Sequence, residues 1–543
     1  MTADMILLAK NILTMDAACT CIEAVACKDG RIAAVGLAKD ILTFKGPDTK
    51  VIEVPDFVTV TPGMRDSHMH LLSFGYTLDQ VNCRNAKNIP ELIERCKAFA
   101  VENDTPAGAW IAGRGWDQNL MDEQRFPVAV DLDEAFPDNP VFLVRSCGHI
   151  ASVNSCALKV MGITKDTPDP DGGVIGRDDS GEADGIFYEE GAVVIPRGYI
   201  FNGDPKILSR CLQKAAKIAL KAGLVEVHTD DMGYAAGLQE LVDIYEELEE
   251  KGEMPLHIEL ELLVNTYAEC EAMLDMVKNC TTKGKNIRLS NIKLLLDGSL
   301  GARTAAMTDD YSDAPGQRGM LNWPVNEFKR TIKLAHDFGL PVAAHVIGDE
   351  AARIAVEGIE EAMTENPRPD PRHRLVHLQV ASEETYQKIA KLGIVADIQP
   401  RFVSSDYSMI EARFGSERSK LAYMWKSLED RNIRTAGGSD CPIEPFDPLL
   451  GMNAAITRCE VDGKPEGGWH PEECLDLTRA LALFTTSVPY TCHGENERGS
   501  IKIGQKADFT LVNGDLAADC AAVTLKNSVY MTIIDGKVQW ESK

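Results

Sequence analysis

The feature that most constrains this chain is a rhythm in its middle. Between residues 57 and 438, short apolar runs alternate with stretches of helical periodicity. Eight of the runs read as strands: residues 57–62, 224–228, 256–263, 292–296, 342–345, 374–378, 394–398 and 434–438. Residues 206–222, 239–251, 326–338, 350–363 and 383–392 carry apolar side chains at helical spacing and fall between them. Strands linked through helices run parallel and are covered on both faces, so they appear as continuous apolar runs. Eight such units are the number needed to close a barrel. The predicted fold class is α/β, a (β/α)8 TIM-like barrel.

Both ends of the chain differ from that rhythm. Each is rich in short strands and carries an Asp-Gly hairpin signal, Asp29-Gly30 and Asp535-Gly536. Neither is long enough to bury a good core alone. The economical arrangement is one composite β-sandwich domain, with residues 1–56 and 499–543 as its two parts. The barrel then starts at 57–79 and continues over 206–498. Residues 80–205 interrupt it after the first strand, and hold strand-like runs at 110–113 and 141–145 and a glycine- and aspartate-rich stretch at 168–185. They are expected to form an inserted subdomain over the barrel mouth.

Charge narrows the partners. The 56 basic and 83 acidic side chains give a net charge of −27, which repels nucleic acid and disfavours anionic membranes. Its plainest consequence is solubility. The 15 cysteines are odd in number, scattered and without a CxxC pair; Cys19 and Cys21 share one strand face. Reduced thiols, a cytoplasmic location and no membrane span are the expectation.

Chemistry gathers where the strands end. His68 and His70 follow the first run, and His228, with Asp230 and Asp231, ends the second. Lys293 lies in the fourth, which leads to Asp297; His345, His377 and Asp440 end the fifth, sixth and eighth. Of 11 histidines, five fall at these places, where barrel enzymes carry their catalytic groups. Two imidazoles two residues apart on a strand share one side and suit a borderline metal ion. HxH alone is weak, and His345 and His377 taken singly are more often core histidines. Lys293 in IKLLLDG must be paired or chemically altered, because a bare buried ammonium is costly; an ion pair with Asp297 is the simplest answer. In the insertion, Arg114, Trp116, Asp117, His149 and Asn154 either contact substrate or pack the subdomain, and Arg303 and Arg401 are weaker candidates for substrate contact.

The stretches TPGMRDSHMH, GRGWDQ, CGHIASVNSCAL, IKLLLDGSLGARTA, VAAHVIGD, RLVHLQ, GGSDCPI and GSIKIGQKADFTLV span nearly the whole chain. Together they resemble the amidohydrolase superfamily, and within it the YtcJ-like and N-substituted formamide deformylase-like family (amidohydrolase family 3). The resemblance implies a divalent metal, Zn2+ in the first place, one or two per chain. His68, His70 and Asp440 would hold the more buried ion, and His345 and His377 the other. Lys293, carboxylated on its amine, would bridge them. It implies hydrolysis of a small-molecule C–N bond other than a peptide bond by metal-activated hydroxide, with Asp440 moving the proton as general base and acid. A homodimer also follows from the resemblance alone. A one-ion deaminase of an amino-substituted heterocycle, in which Lys293 has no bridging role, and a non-catalytic scaffold of the same fold are the competing readings. One position departs from the family: a glutamate often precedes the sixth-strand histidine, and here it is Val376. The partner that would orient His377 is therefore missing or replaced.

Overall fold

A computed structural model describes all residues except 1, 17–21, 148, 171, 201–202, 519–520, 522–523, 526–527 and 543. The Cys19 and Cys21 pair lies outside the described residues. Eight parallel strands form one sheet: β1 (Met64–Met69), β2 (Leu224–Thr229), β3 (His257–Val264), β4 (Ile287–Leu295), β5 (Val342–Val346), β6 (Arg374–His377), β7 (Val395–Ile398) and β8 (Thr435–Gly437). Neighbours in this order are hydrogen-bonded. The two edges approach just beyond β8, where Asp440 N–H donates to His68 O at 2.8 Å and His70 N–H to Cys441 O at 2.8 Å. Gly438 permits this contact, since a Cβ there would lie 2.7 Å from His68 N. The sheet is thus a nearly closed barrel.

Helices Pro205–Lys221, Leu238–Glu250, Val325–Phe338, Asp349–Glu365 and Glu383–Leu392 fall within two residues of the expected segments. Their boundaries have local causes. Ser382 caps the last of them by accepting from Thr385 N–H, and Gly393, at φ 65°, ends it in the left-handed region. Asp349–Glu365 buries Ala351, Ala352, Ile354, Ala355, Val356 and Ile359 along one side.

The first run belongs elsewhere. Val58–Pro62 pairs antiparallel with Phe509–Asn513 in a five-stranded sheet that also holds Asn11–Ile12, Val529–Ile534 and Lys537–Glu541. The barrel's first strand is the next segment, MRDSHM, which is fully buried yet polar. Its polar groups are paired across the barrel interior. Arg65 Nε donates to Glu226 at 2.9 Å, and Arg498 reaches Glu226 at 2.6 Å and Glu259 at 2.7 Å. Arg374 reaches Glu261 at 2.8 Å and also pairs with Asp397, which accepts from Ser67 Oγ at 2.5 Å. This barrel is filled by matched charges, not by aliphatic layers alone.

A four-stranded sheet orders Arg31–Gly36, Ala24–Lys28, Met5–Leu8 and Lys50–Glu53. Met5, Leu7, Val25, Cys27, Val58, Val60, Phe509, Leu511 and Ile533 form one apolar cluster from both small sheets. Both Asp-Gly signals are turns, with φ of 50° and 75° at Asp29 and Gly30 and 50° and 71° at Asp535 and Gly536. Positive φ at both central residues is the hairpin turn that Asp-Gly favours.

The chain divides into two compact units, residues 1–74 with 212–543, and residues 75–211. The second holds a six-stranded sheet in the order Val174–Arg177, Ala183–Tyr188, Ile150–Val153, Val141–Arg145, Ile111–Trp116, Val81–Asn82. Apolar clusters lie within it around Phe142, Val153 and Phe187 and around Leu92, Trp116 and Leu143. Among the described residues, no helix is long and apolar enough to cross a membrane.

Candidate metal centre

Six side chains meet at the C-terminal ends of β1, β5, β6 and β8 and along β4. The His68 ring lies 5.2 Å from that of His70 and 5.9 Å from that of His377, and the His345 and His377 rings are 4.5 Å apart. Asp440 Oδ1 is 3.0 Å from His70 Nε2 and 3.4 Å from His68 Nε2. Lys293 Nζ is 3.1 Å from His68 Nε2. Ligand atoms of His68, His377 and Asp440 all lie within 4.8 Å of one another. His377 and Asp440 hold φ of 74° and 58°, left-handed values that cost a non-glycine residue about 1–3 kcal/mol and are found where a site must aim a side chain.

Each imidazole has one nitrogen engaged outside the cluster. His68 Nδ1 faces Glu261 Oε2 at 2.7 Å, and His70 Nδ1 pairs with Asp230. His377 Nδ1 faces Gln399 Oε1 at 2.7 Å, and Gln399 is itself fixed by donating Nε2–H to Asp397 O at 3.1 Å. His345 Nε2 is 3.2 Å from Gly298 O. The remaining nitrogens are left for the cluster. The partner that Val376 does not supply is therefore Gln399, from the end of β7. No local pattern announced it, because the two residues are 22 positions apart in sequence. Asp230, just past the end of β2, is the partner of His70.

The electrostatics suit cation binding. Burial pulls the His345 ring down to about 4, and the Lys293 ammonium adds repulsion. Burial and the neighbouring His345 hold His377 well below its ordinary value. Both rings stay neutral, the form that ligates. Burial alone would raise the Asp440 carboxyl, but hydrogen bonds from His68 and His70 outweigh it and hold it well below the usual range. Burial would likewise lower His70, yet Asp230 and Asp440 raise it well above its ordinary value.

Lys293 is wholly buried and makes no ion pair among the described residues. The expected pair with Asp297 does not form. That carboxylate instead accepts backbone N–H groups from Ala306 at 2.9 Å, Ile347 at 3.1 Å and Gly348 at 2.8 Å. A buried ammonium beside the imidazoles of His68, His345 and His377 is an arrangement unfavourable to a bare lysine. The donor set fits divalent cations: imidazole nitrogens, one ionised carboxylate, and a lysine whose charge calls for neutralisation.

Among the described residues, two other groups have metal-like composition, Glu226 with His228 and Cys492, and His257 with Asp508 and Asp535. Both are already neutralised. Glu226 pairs with Arg65 and Arg498, while His228 Nδ1 faces Arg374 at 3.5 Å. Lys506 sits 3.4 Å from His257 and 3.2 Å from Asp535.

The substrate-contact candidates separate by burial. Trp116 is fully buried, donates Nε1–H to Leu143 O at 2.8 Å, and packs edge-on against Phe126. Asn154 is buried as a helix cap, accepting from Ala157 and Val141 and donating to Phe136 O and Asn139 O. In this structure both are interior residues of the 75–211 unit. Asp117 accepts from Asn119 N–H at 3.0 Å and Arg145 at 3.0 Å. Arg114 and His149 are exposed in that unit. In the barrel unit, Arg303 pairs with Asp313 at 2.9 Å, and Arg401 stands 3.6 Å from Glu444.

Polar side chains gathered at the C-terminal ends of a parallel barrel define a barrel enzyme. A family model described as the amidohydrolase family matches residues 58–539. The chain belongs to the amidohydrolase family. It is 32% identical over 529 residues to YtcJ of Bacillus subtilis (strain 168), a protein named for an amidohydrolase role, with 96% of each chain covered. It is 26% identical over 555 residues to the N-substituted formamide deformylase of Arthrobacter pascens, covering 99% of this chain and 98% of that one. A solved structure of an uncharacterized metal-dependent hydrolase from Pyrococcus furiosus is similar, with TM-score 0.77, 28% identity, and 94% and 98% of the two chains covered.

Proposed function

We propose that this protein is a metal-dependent hydrolase of a C–N bond other than a peptide bond in a small molecule, an amide, formamide or cyclic amide. The observation that carries the reading is Lys293, wholly buried, unpaired among the described residues and 3.1 Å from His68 Nε2. A lysine amine that takes up carbon dioxide loses a proton and becomes a carbamate anion. That change replaces an unfavourable cation with two oxygen ligands between the two histidine pairs. His68, His70 and Asp440 would hold one ion, His345 and His377 the other, with the carbamate between them. Zinc is the expected ion for this donor set. When bound, divalent ions supply Lewis acidity toward a carbonyl oxygen and make a water acidic near neutral pH.

The chain's own residues do the rest. Asp440, held ionised by its histidine neighbours, accepts the proton of the attacking water and returns it to the leaving nitrogen. Glu261, Asp230 and Gln399 keep the three rings aimed. The formamide deformylase of Arthrobacter pascens brings N-formyl amines forward as the first compounds to try.

The test is metal analysis of the purified chain beside its Lys293→Ala variant, with N-formyl, N-acyl and cyclic amides screened for released amine. The expected result is about two equivalents of metal, and loss of both metal and activity in the variant. Retention of full metal and activity without Lys293 rules the bridging role out.

A further inference from the structure

The four imidazoles are not held alike. His68 and His70 each present Nδ1 to a carboxylate, Glu261 and Asp230. His377 presents Nδ1 to the neutral amide of Gln399, and His345 presents Nε2 to the peptide oxygen of Gly298 at 3.2 Å, with the Asp297 carboxylate farther off at 3.5 Å. A carboxylate behind an imidazole raises the ring's basicity toward a cation on its other nitrogen, and loss of such a partner typically weakens metal affinity 10–100-fold. Glu261 is itself anchored by Arg374 at 2.8 Å. Asp440, the carboxylate inside the cluster, also leans to one side, with Oδ1 at 3.0 and 3.4 Å from His70 and His68.

We infer that the two cation positions are unequal: the ion on His345 and His377 is loosely held and exchangeable, and Gln399 is the positioning residue that sets its affinity. The inference rests on the two-ion reading above. Gln399 does two jobs in one geometry. Its Oε1 fixes the His377 tautomer, and its Nε2–H is tied to Asp397 O, so the ring is aimed without being made more basic. The protein thus keeps the direction of His377 while forgoing there the electrostatic gain that His68 and His70 have.

The experiment starts from the metal-loaded full chain. It is dialysed against zinc buffered by graded concentrations of a chelator, and the zinc retained is counted by atomic emission. The wild type is expected to lose one equivalent at free zinc at least about tenfold higher than the other. Q399E, which puts a carboxylate behind His377, is expected to shift the first loss about tenfold or more toward the second, and Q399L to shift it the opposite way. Q399E is the decisive variant, because a folding defect cannot tighten a site. Joint release of both equivalents from the wild type overturns the inference, as does release from both variants at wild-type zinc concentration. A wild type that retains no metal at any concentration sinks the two-ion reading itself, a result distinct from equal release.

Discussion

Lowering the pH should destabilise the barrel through a pair of histidines that take no part in the site. His336 and His373 are buried between helix Val325–Phe338 and the start of β6. Val342 N–H donates to His373 Nδ1 at 3.0 Å, so that nitrogen carries no proton. His373 Nε2–H then donates to His336 Nδ1 at 2.9 Å, and His336 Nε2–H to Asn366 O at 2.7 Å. Every nitrogen is used and both rings are neutral. Burial, with repulsion from the Arg368 guanidinium, lowers His373 from 6.5 to about 3. A base depressed in the folded state favours folding fully above its unfolded value. Below 6.5 the unfolded chain binds a proton that the folded chain refuses. Stability then falls by about 1.4 kcal/mol per pH unit, about 2 kcal/mol by pH 5 and about 5 kcal/mol by pH 3. Hydrogen exchange with mass spectrometry on segments 325–346 and 366–377 reads the opening free energy directly. His373→Gln keeps an acceptor for Val342 without a titrating ring. The wild type should lose about 2 kcal/mol more than this variant between pH 6.5 and 5. Equal losses, or a His373 resonance that titrates near 6.5 in the folded chain, would refute the reasoning.

Three further outcomes are expected. Trp116→Ala should lower stability by about 3–5 kcal/mol in chemical denaturation, as a fully buried ring does; a raised KM with unchanged unfolding would restore it as a substrate contact. Glu226→Gln should cost about 3–5 kcal/mol by the same assay, because it leaves Arg65 and Arg498 underpaired in the barrel interior. Asp440→Asn should cut turnover at least about a hundredfold while circular dichroism stays that of the wild type; activity within a few-fold of wild type would remove Asp440 from proton transfer.

The barrel was legible because seven of its strands are apolar runs bounded by polar or glycine residues. The remaining strand, β1, escaped for a physical reason. Val58–Pro62 looks like a barrel strand and MRDSHM does not, yet the first pairs with Phe509–Asn513 and the second lines the barrel. Arg65, Ser67 and His68 are tolerable inside only because Glu226, Asp397 and Glu261 await them, 161 to 330 positions away. Pattern reading within a short window has no access to such partners. A separation of 22 positions likewise hid Gln399 behind His377. Lys293, by contrast, stood out in an apolar run, and the order of His68, His70, Lys293, His345, His377 and Asp440 along successive strands located the cluster. Trp116 and Asn154 show the opposite difficulty: a polar or aromatic residue in a motif reads the same whether it faces a ligand or caps a helix.

The central claim is that Lys293 bridges two ions in one cluster with His68, His70, His345, His377 and Asp440. The most direct measurement is a crystal structure of the zinc-loaded protein with anomalous data collected on both sides of the zinc absorption edge. Two anomalous peaks about 3.5–4 Å apart are expected, with continuous density extending Lys293 Nζ into a carbamate between them. A single peak beside a bare Lys293 ammonium, or no peak among these six side chains, would contradict it.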